Sequence, residues 1–264
     1  MFAKLLKHDL RAVRDSLGLV SLIGLLSGLV GCGALRVMEH SGDRDLITVF
    51  AALALVAAFF CVILVFGACV FLVLAFFYKS RFTDQGYLTF TLPVKNHENL
   101  LSAFCTCVIG CVVGIVVFAV SMFIILFFGG SDLDGRRMEM TVQFADSLGR
   151  SLEMVGIGNA VLFGLYLIAG SLSQLLVAML AITIGSIIAK KHKVLAALAV
   201  FHGVQILLSV FVMATFFGSG MRMVESGSGE FFTLIFPQII LYLVIGLGSY
   251  FLMHGFVSKR LNLN

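Results

Sequence analysis

"LITVFAALALVAAFFCVILVFGACVFLVLAFFY", residues 46–78, contains no Asp, Glu, Lys or Arg. About 18 consecutive apolar residues already form a helix long enough to cross a bilayer core. This run exceeds that length, so its helix projects past the membrane or tilts within it. A membrane β-barrel would instead show segments of about 10 residues with alternating polarity. The stretch therefore sets the expected class as an all-α integral membrane protein.

Five similar blocks flank it, giving expected spans at about 17–35, 46–78, 100–128, 160–189, 194–217 and 231–257. The whole chain is 60% hydrophobic and 12% charged, and its mean hydropathy is +1.10. Soluble domains carry about a quarter charged residues. No polar segment is long enough for a separate soluble domain, so residues 1–264 are expected to form a single transmembrane domain. Trp is absent, which leaves Tyr and Phe for any aromatic belt; Tyr78 and Tyr250 lie near block ends.

The charges between the blocks predict an orientation. Lys4, Lys7, Arg11, Arg14, Lys79, Arg81, Lys95, Lys190, Lys191, Lys193, Lys259 and Arg260 would share one side. Only Arg36, Arg44, Arg136, Arg137, Arg150 and Arg222 fall on the other, where most acidic residues lie. Lys and Arg near span ends mark the cytoplasmic face, so both termini are expected there. This asymmetry accounts for the net charge of +4 without a nucleic-acid partner; the partner that composition requires is the lipid bilayer.

All six cysteines, Cys32, Cys61, Cys69, Cys105, Cys107 and Cys111, fall inside apolar blocks. No structural disulfide is inferred, and Cys107 and Cys111, one helical turn apart, read as small packing residues rather than a metal pair. Leu29-Val30-Gly31-Cys32 fits a lipidation motif after a basic segment. Asp9, Asp15 and the helical pattern of the preceding residues favour a retained segment instead.

That pattern is "MFAKLLKHDLRAVRDS", residues 1–16. Phe2, Leu5, Leu6, Leu10 and Val13 recur at helical spacing, with Lys4, Lys7, Arg11 and Arg14 opposite them. A basic amphipathic helix beside a span is expected to lie in the interface over residues 1–15. It either anchors the topology or serves as a lever against a cytoplasmic partner through Phe2, Leu5, Leu6, Lys7 and Leu10. The 129–159 connection has one ragged apolar side and is expected to cap the spans, with contact to a substrate as the alternative, while 218–230 reads as a flexible connector. Gly24-x-x-x-Gly28 and Gly110-x-x-x-Gly114 allow close helix approach.

The span interiors contain no ionisable acid, lysine or arginine, which argues against an ion-coupled carrier, proton relay or voltage sensor. Their polar residues are neutral or His: Ser171, Ser173 and Gln174, then His202, Gln205 and Ser209, then Gln238 beside Pro237. His202, Gln205 and Ser209 share one face by spacing. They either hydrogen-bond between helices or line a substrate path. There is no G-x-x-x-x-G-K-[ST] phosphate loop, no H-E-x-x-H, and no convincing nucleophile–base pair. The chain is expected to be no enzyme and to bind no cofactor or metal itself.

Between the second and third spans stands "FYKSRFTDQGYLTFTLPVK", residues 77–95. A plain connection needs no aromatics, yet Phe82, Tyr87, Leu88, Phe90, Leu92 and Val94 sit in water-facing territory. Gly86 permits a tight turn and Pro93 redirects the chain. Exposed apolar groups of this kind mark either a protein contact or packing beneath the protein's own helices.

The longer segment "FYKSRFTDQGYLTFTLPVKNHENLLSAF", residues 77–104, resembles the corresponding region of small bacterial ATP-binding-cassette type-2 exporter permeases. Tyr78, Lys79, Gly86, Tyr87, Leu88, Thr91, Leu92, Pro93 and Val94 match that family's pattern. Gln85 stands where an acidic residue usually precedes the glycine, with Asp84 one position earlier. "FAKLLKHDLRA", residues 2–12, is similar to the family's opening helix, and the two stretches together cover 39 residues. The resemblance implies a permease domain in a bacterial cytoplasmic membrane, forming a dimer with a second permease, identical or paralogous. It also implies a separate ATPase subunit carrying ATP and Mg, coupled through Phe82, Gly86, Tyr87, Leu88, Leu92 and Pro93. The cargo would be an amphipathic or hydrophobic peptide, lipid or drug, antimicrobial peptides included. The alternative is a non-transporting accessory or sensor subunit that docks a cytoplasmic partner on the same loop.

Overall fold

The computed structural model describes residues 2–41, 45–83, 96–129, 142–143, 146–147, 149–150, 153, 156–189, 192–226 and 231–260. Six long helices follow in chain order: α1 (Phe2–His40), α2 (Asp45–Phe82), α3 (Asn96–Phe128), α4 (Ile157–Ile188), α5 (Lys193–Ser226) and α6 (Phe231–Arg260). Each contains a segment long and apolar enough to cross a membrane. A bilayer offers no water to satisfy backbone polar groups, and a helix satisfies them within its own segment. The protein is an all-α, six-span, multi-pass membrane protein.

The segment expected at the interface is continuous with the first span in a single helix of 39 residues. No proline interrupts residues 14–18, and a lone glycine at Gly18 is insufficient to end a helix flanked by apolar turns. The two faces read from the sequence are present: Lys4, Lys7, Arg11 and Arg14 are exposed, whereas Phe2, Leu5, Leu6 and Leu10 are partly covered and Val13 is buried. The covered face also holds Asp9, a buried carboxylate that the apolar pattern alone did not place there. The expected connector over 218–230 differs too, because α5 continues as helix to Ser226.

Helix ends have identifiable stops. At the end of α3 the Gly129 N–H bonds the Ile125 carbonyl at 3.1 Å, and Arg36 of α1 donates from Nε to the Phe128 carbonyl at 3.0 Å. The last turn of α3 has no basic residue of its own, so Arg36 supplies a cation where the helix dipole favours one. Before α4, Gly156 has φ of 80°, a left-handed conformation that glycine adopts without steric cost. Within α6, Pro237 removes one backbone donor and hence one helical hydrogen bond.

Contacts group the chain into two compact units, with boundaries inside α2 and α3. The first contains Met1–Phe76 and Cys105–Gly149. Here α1 meets α2 and α3 through small residues. A Cβ on Gly24 would lie 2.8 Å from Cγ1 of both Val65 and Val117, and one on Gly28 would lie 3.1 Å from Ser121 Cα. Ser121 Oγ donates to the Gly24 carbonyl at 3.0 Å across this close approach. The second expected glycine pair behaves alike: Gly110 faces Val73, and Gly114 faces Cys69. All six cysteines are free thiols, with Cys69 and Cys107 fully buried.

The second unit contains Phe77–Phe104 and Arg150–Asn264. In it α4 packs against both α5 and α6, and α5 contacts α6. The α4–α5 turn is tight enough that a Cβ on Gly185 would meet the Ala197 backbone, with Cα at 2.6 Å. Farther along α4, Ser173 Cα lies 3.5 Å from where a Cβ on Gly246 would stand.

Candidate functional site: a clamped loop base and a neutral polar cavity

Two places in the second unit gather polar side chains. One is the base of the connection between α2 and α3. Arg81, in the last turn of α2, is 4% exposed, and its Nη2 donates to the Asn99 carbonyl at 3.3 Å. A guanidinium is costly to bury unless it is hydrogen-bonded, so this contact ties the end of α2 to the start of α3. The Asn99 side chain is also buried, and its Oδ1 accepts no hydrogen bond among the described residues. His97 Nδ1 and the Tyr250 hydroxyl of α6 share a hydrogen bond at 2.5 Å, with the rings edge to face at 6.1 Å. Phe82 closes the end of α2 by an edge-to-face contact with Phe77 at 5.6 Å.

Of the residues expected to couple to a partner, Phe82 is therefore placed at this base. Gly86, Tyr87, Leu88, Leu92 and Pro93 lie outside the described residues. Arg81, Asn99 and His97 were not singled out from the sequence, where Arg81 counted only toward orientation. Their signal was position: three hydrogen-bonding residues immediately flanking an aromatic connection.

The other place is a cavity of about 560 Å³ among α4, α5 and α6, within the size range of small-molecule sites. Its polar lining comprises Tyr166 and Gln174 from α4, Gln205 and Ser209 from α5, and Gln238 and Tyr242 from α6. Leu208, Val212, Met213 and Phe217 supply its apolar wall. Gln205 Nε2 donates to Gln174 Oε1, and the Tyr166 and Tyr242 rings lie 5.6 Å apart, tilted at 50° to each other. Gly170 makes room for Tyr242: a Cβ there would already touch its ring at 3.5 Å. Ser209 Oγ donates back to the Ile206 carbonyl at 2.8 Å.

Gln205 and Ser209, expected from their spacing, thus reach the cavity. His202 does not line it; that ring is exposed on α5 and lies 5.8 Å from Phe201. Both readings of the polar face are represented, since Gln205 makes an interhelical hydrogen bond and also borders open space. Tyr166 and Tyr242 escaped sequence reading because tyrosine in a span resembles belt or core material until its neighbours are known. The cavity offers amide, phenol and hydroxyl groups, which can donate and accept hydrogen bonds without formal charge.

These features define a helical, multi-pass membrane protein with a neutral polar cavity among three of its spans. No protein-family model matches the chain, and neither curated proteins nor solved structures provide a match.

Proposed function

We propose that this chain is the membrane-spanning permease subunit of an ATP-binding-cassette exporter in the bacterial cytoplasmic membrane, with both termini in the cytoplasm. A separate ATPase carries ATP and Mg, and a second permease, identical or paralogous, completes the membrane pathway. The observation that carries this reading is the base of the 84–95 connection. Arg81 ties α2 to Asn99 of α3, so a force applied to the intervening aromatic segment has two long helices to move.

The resemblance of residues 77–104 and 2–12 to small exporter permeases supports the same division of labour. The sequence contains no phosphate-binding loop motif, which is consistent with nucleotide binding by another subunit. The exposed Lys4, Lys7, Arg11 and Arg14 suit α1 for the cytoplasmic interface beside that subunit. The span interiors lack formal charges apart from His, which suits an amphipathic or hydrophobic cargo.

Purification in mild detergent from the native membrane tests the reading. An ATPase should co-elute with the chain, and Tyr87→Ala combined with Leu92→Ala should reduce its recovery by about tenfold, the scale of losing one apolar anchor from an interface. The variant chain should remain inserted with unchanged helix content. Stoichiometric recovery of the ATPase with the double variant would place the contact elsewhere. A folded wild-type chain with no ATPase would favour the accessory or sensor reading.

A further inference from the structure

We infer that the cavity among α4, α5 and α6 is a binding site for an uncharged amphiphile whose head carries both hydrogen-bond donors and acceptors, such as a carboxamide, on an apolar body. This inference rests on the permease reading for its role as a cargo site, but binding itself needs only this chain. Gln238 carries the argument. It is 5% exposed, borders the cavity, and forms no hydrogen bond with any described residue. Its amide is not sealed off as the Asn99 side-chain carbonyl is but keeps its access through the cavity, and polar groups inside a protein normally find a partner. Here the open space in front of it is where a partner can enter.

The surrounding groups select that partner. Gln205 gives one N–H to the Gln174 carbonyl, leaving the Gln174 amide with both its N–H groups and the Gln205 amide with its second N–H and its carbonyl. Tyr166 and Tyr242 add phenol groups at the same cavity. Among the described residues no Asp, Glu, Lys or Arg lines it, so a charged head would be desolvated there without a counter-charge from them. A wholly apolar ligand would leave Gln238 as it is. A neutral donor–acceptor head satisfies the amides, while its hydrocarbon body meets the apolar wall and the lipid beyond.

The test uses the full chain, without ATPase, in phosphatidylcholine nanodiscs. Its probe is N-dodecanoylglycinamide carrying a diazirine in the acyl chain; N-dodecanoylglycine with the same diazirine supplies the carboxylate comparison. Photolabelling by the amide should be saturable, competed by unlabelled amide, and confined mainly to peptides spanning 205–217 and 238–242. The carboxylate should label them about tenfold less, because its charge is desolvated there. Gln238→Leu should weaken amide labelling about fivefold, the scale of one lost hydrogen bond, and Gln238→Asn should restore part of it. Should Gln238→Leu lose its cooperative melting, Tyr242→Phe, which removes only a hydroxyl, should carry the same direction of change.

Equal labelling by both probes, labelling that excess amide does not compete, or labelling spread evenly over the six spans would overturn the inference. Even labelling would mean that ordinary bilayer lipid fills the space. These results leave the co-purification test untouched, so the site and the permease reading fail separately.

Discussion

Where α1 crosses α2 and α3 in the first unit, glycines bring helices together: Gly24 against Val65 and Val117, and Gly28 against Ser121. In the second unit α4, α5 and α6 line an open-sided cavity bordered by three glutamines, two tyrosines and a serine. Lipid tails are as apolar as the helices, so association in a bilayer depends on close packing and interhelical hydrogen bonds. The first unit uses backbone-close packing and a serine-to-carbonyl bond. The second keeps polar groups beside open space, an arrangement less suited to cohesion and better suited to a ligand. Under the proposed function, the first set of helices is the scaffold and the second carries the cargo site.

The substitution expected to do most damage is Gly28→Leu. A single Cβ there already comes within 3.1 Å of Ser121 Cα and 3.2 Å of its carbonyl oxygen, and the rest of a leucine cannot fit without parting α1 from α3. Overpacking of this kind costs about 3 kcal/mol, read as a shift in the detergent-titrated unfolding midpoint followed by circular dichroism. A neutral result would mean that these helices are not held by close approach, and the contrast would lose its first half.

That close approach was visible in the sequence as a four-residue glycine repeat, and the spans as long uncharged blocks. Both depend on local pattern: a run longer than a bilayer is thick, and two small residues on one helical face. The cavity depends on which faces meet. Gln174, Gln205 and Gln238 were each recognisable as polar residues inside spans, but nothing in their spacing joins three separate helices. Asp9 stayed hidden for the same reason, because a lone carboxylate on an amphipathic helix reads as surface until its face is seen to be covered. Helix ends were less legible still. The uninterrupted run from Phe2 to His40 joins an interfacial pattern to a span where composition changes without any residue that stops a helix.

A smaller effect is expected from Ser121→Ala, which keeps the Cβ and removes the hydroxyl that donates to the Gly24 carbonyl at 3.0 Å. Hydrogen bonds between membrane helices average about 0.6 kcal/mol by double-mutant cycles, so the unfolding midpoint should fall by about that amount. Combining Ser121→Ala with Gly28→Leu should give less than the sum, since a separated pair has no bond left to lose. Additive effects would show the two residues to be energetically independent despite their contact.

The smallest change in stability is expected from Gln205→Leu, at the other end of the comparison. Gln205 donates to Gln174, and deletion of that bond costs about 0.6 kcal/mol in a membrane protein. Two effects offset it. Leucine is more readily accommodated by hydrocarbon than an amide, and the released Gln174 amide faces an open cavity rather than a closed core. The net change should therefore stay within about 0.5 kcal/mol, measured by the same detergent titration. A loss comparable to that of Gly28→Leu would show the glutamine pair to be structural cement. Near-neutral stability combined with weaker labelling by the amide probe would be hard to obtain from a packing residue, because a group that does little for the fold and much for the ligand belongs to a site.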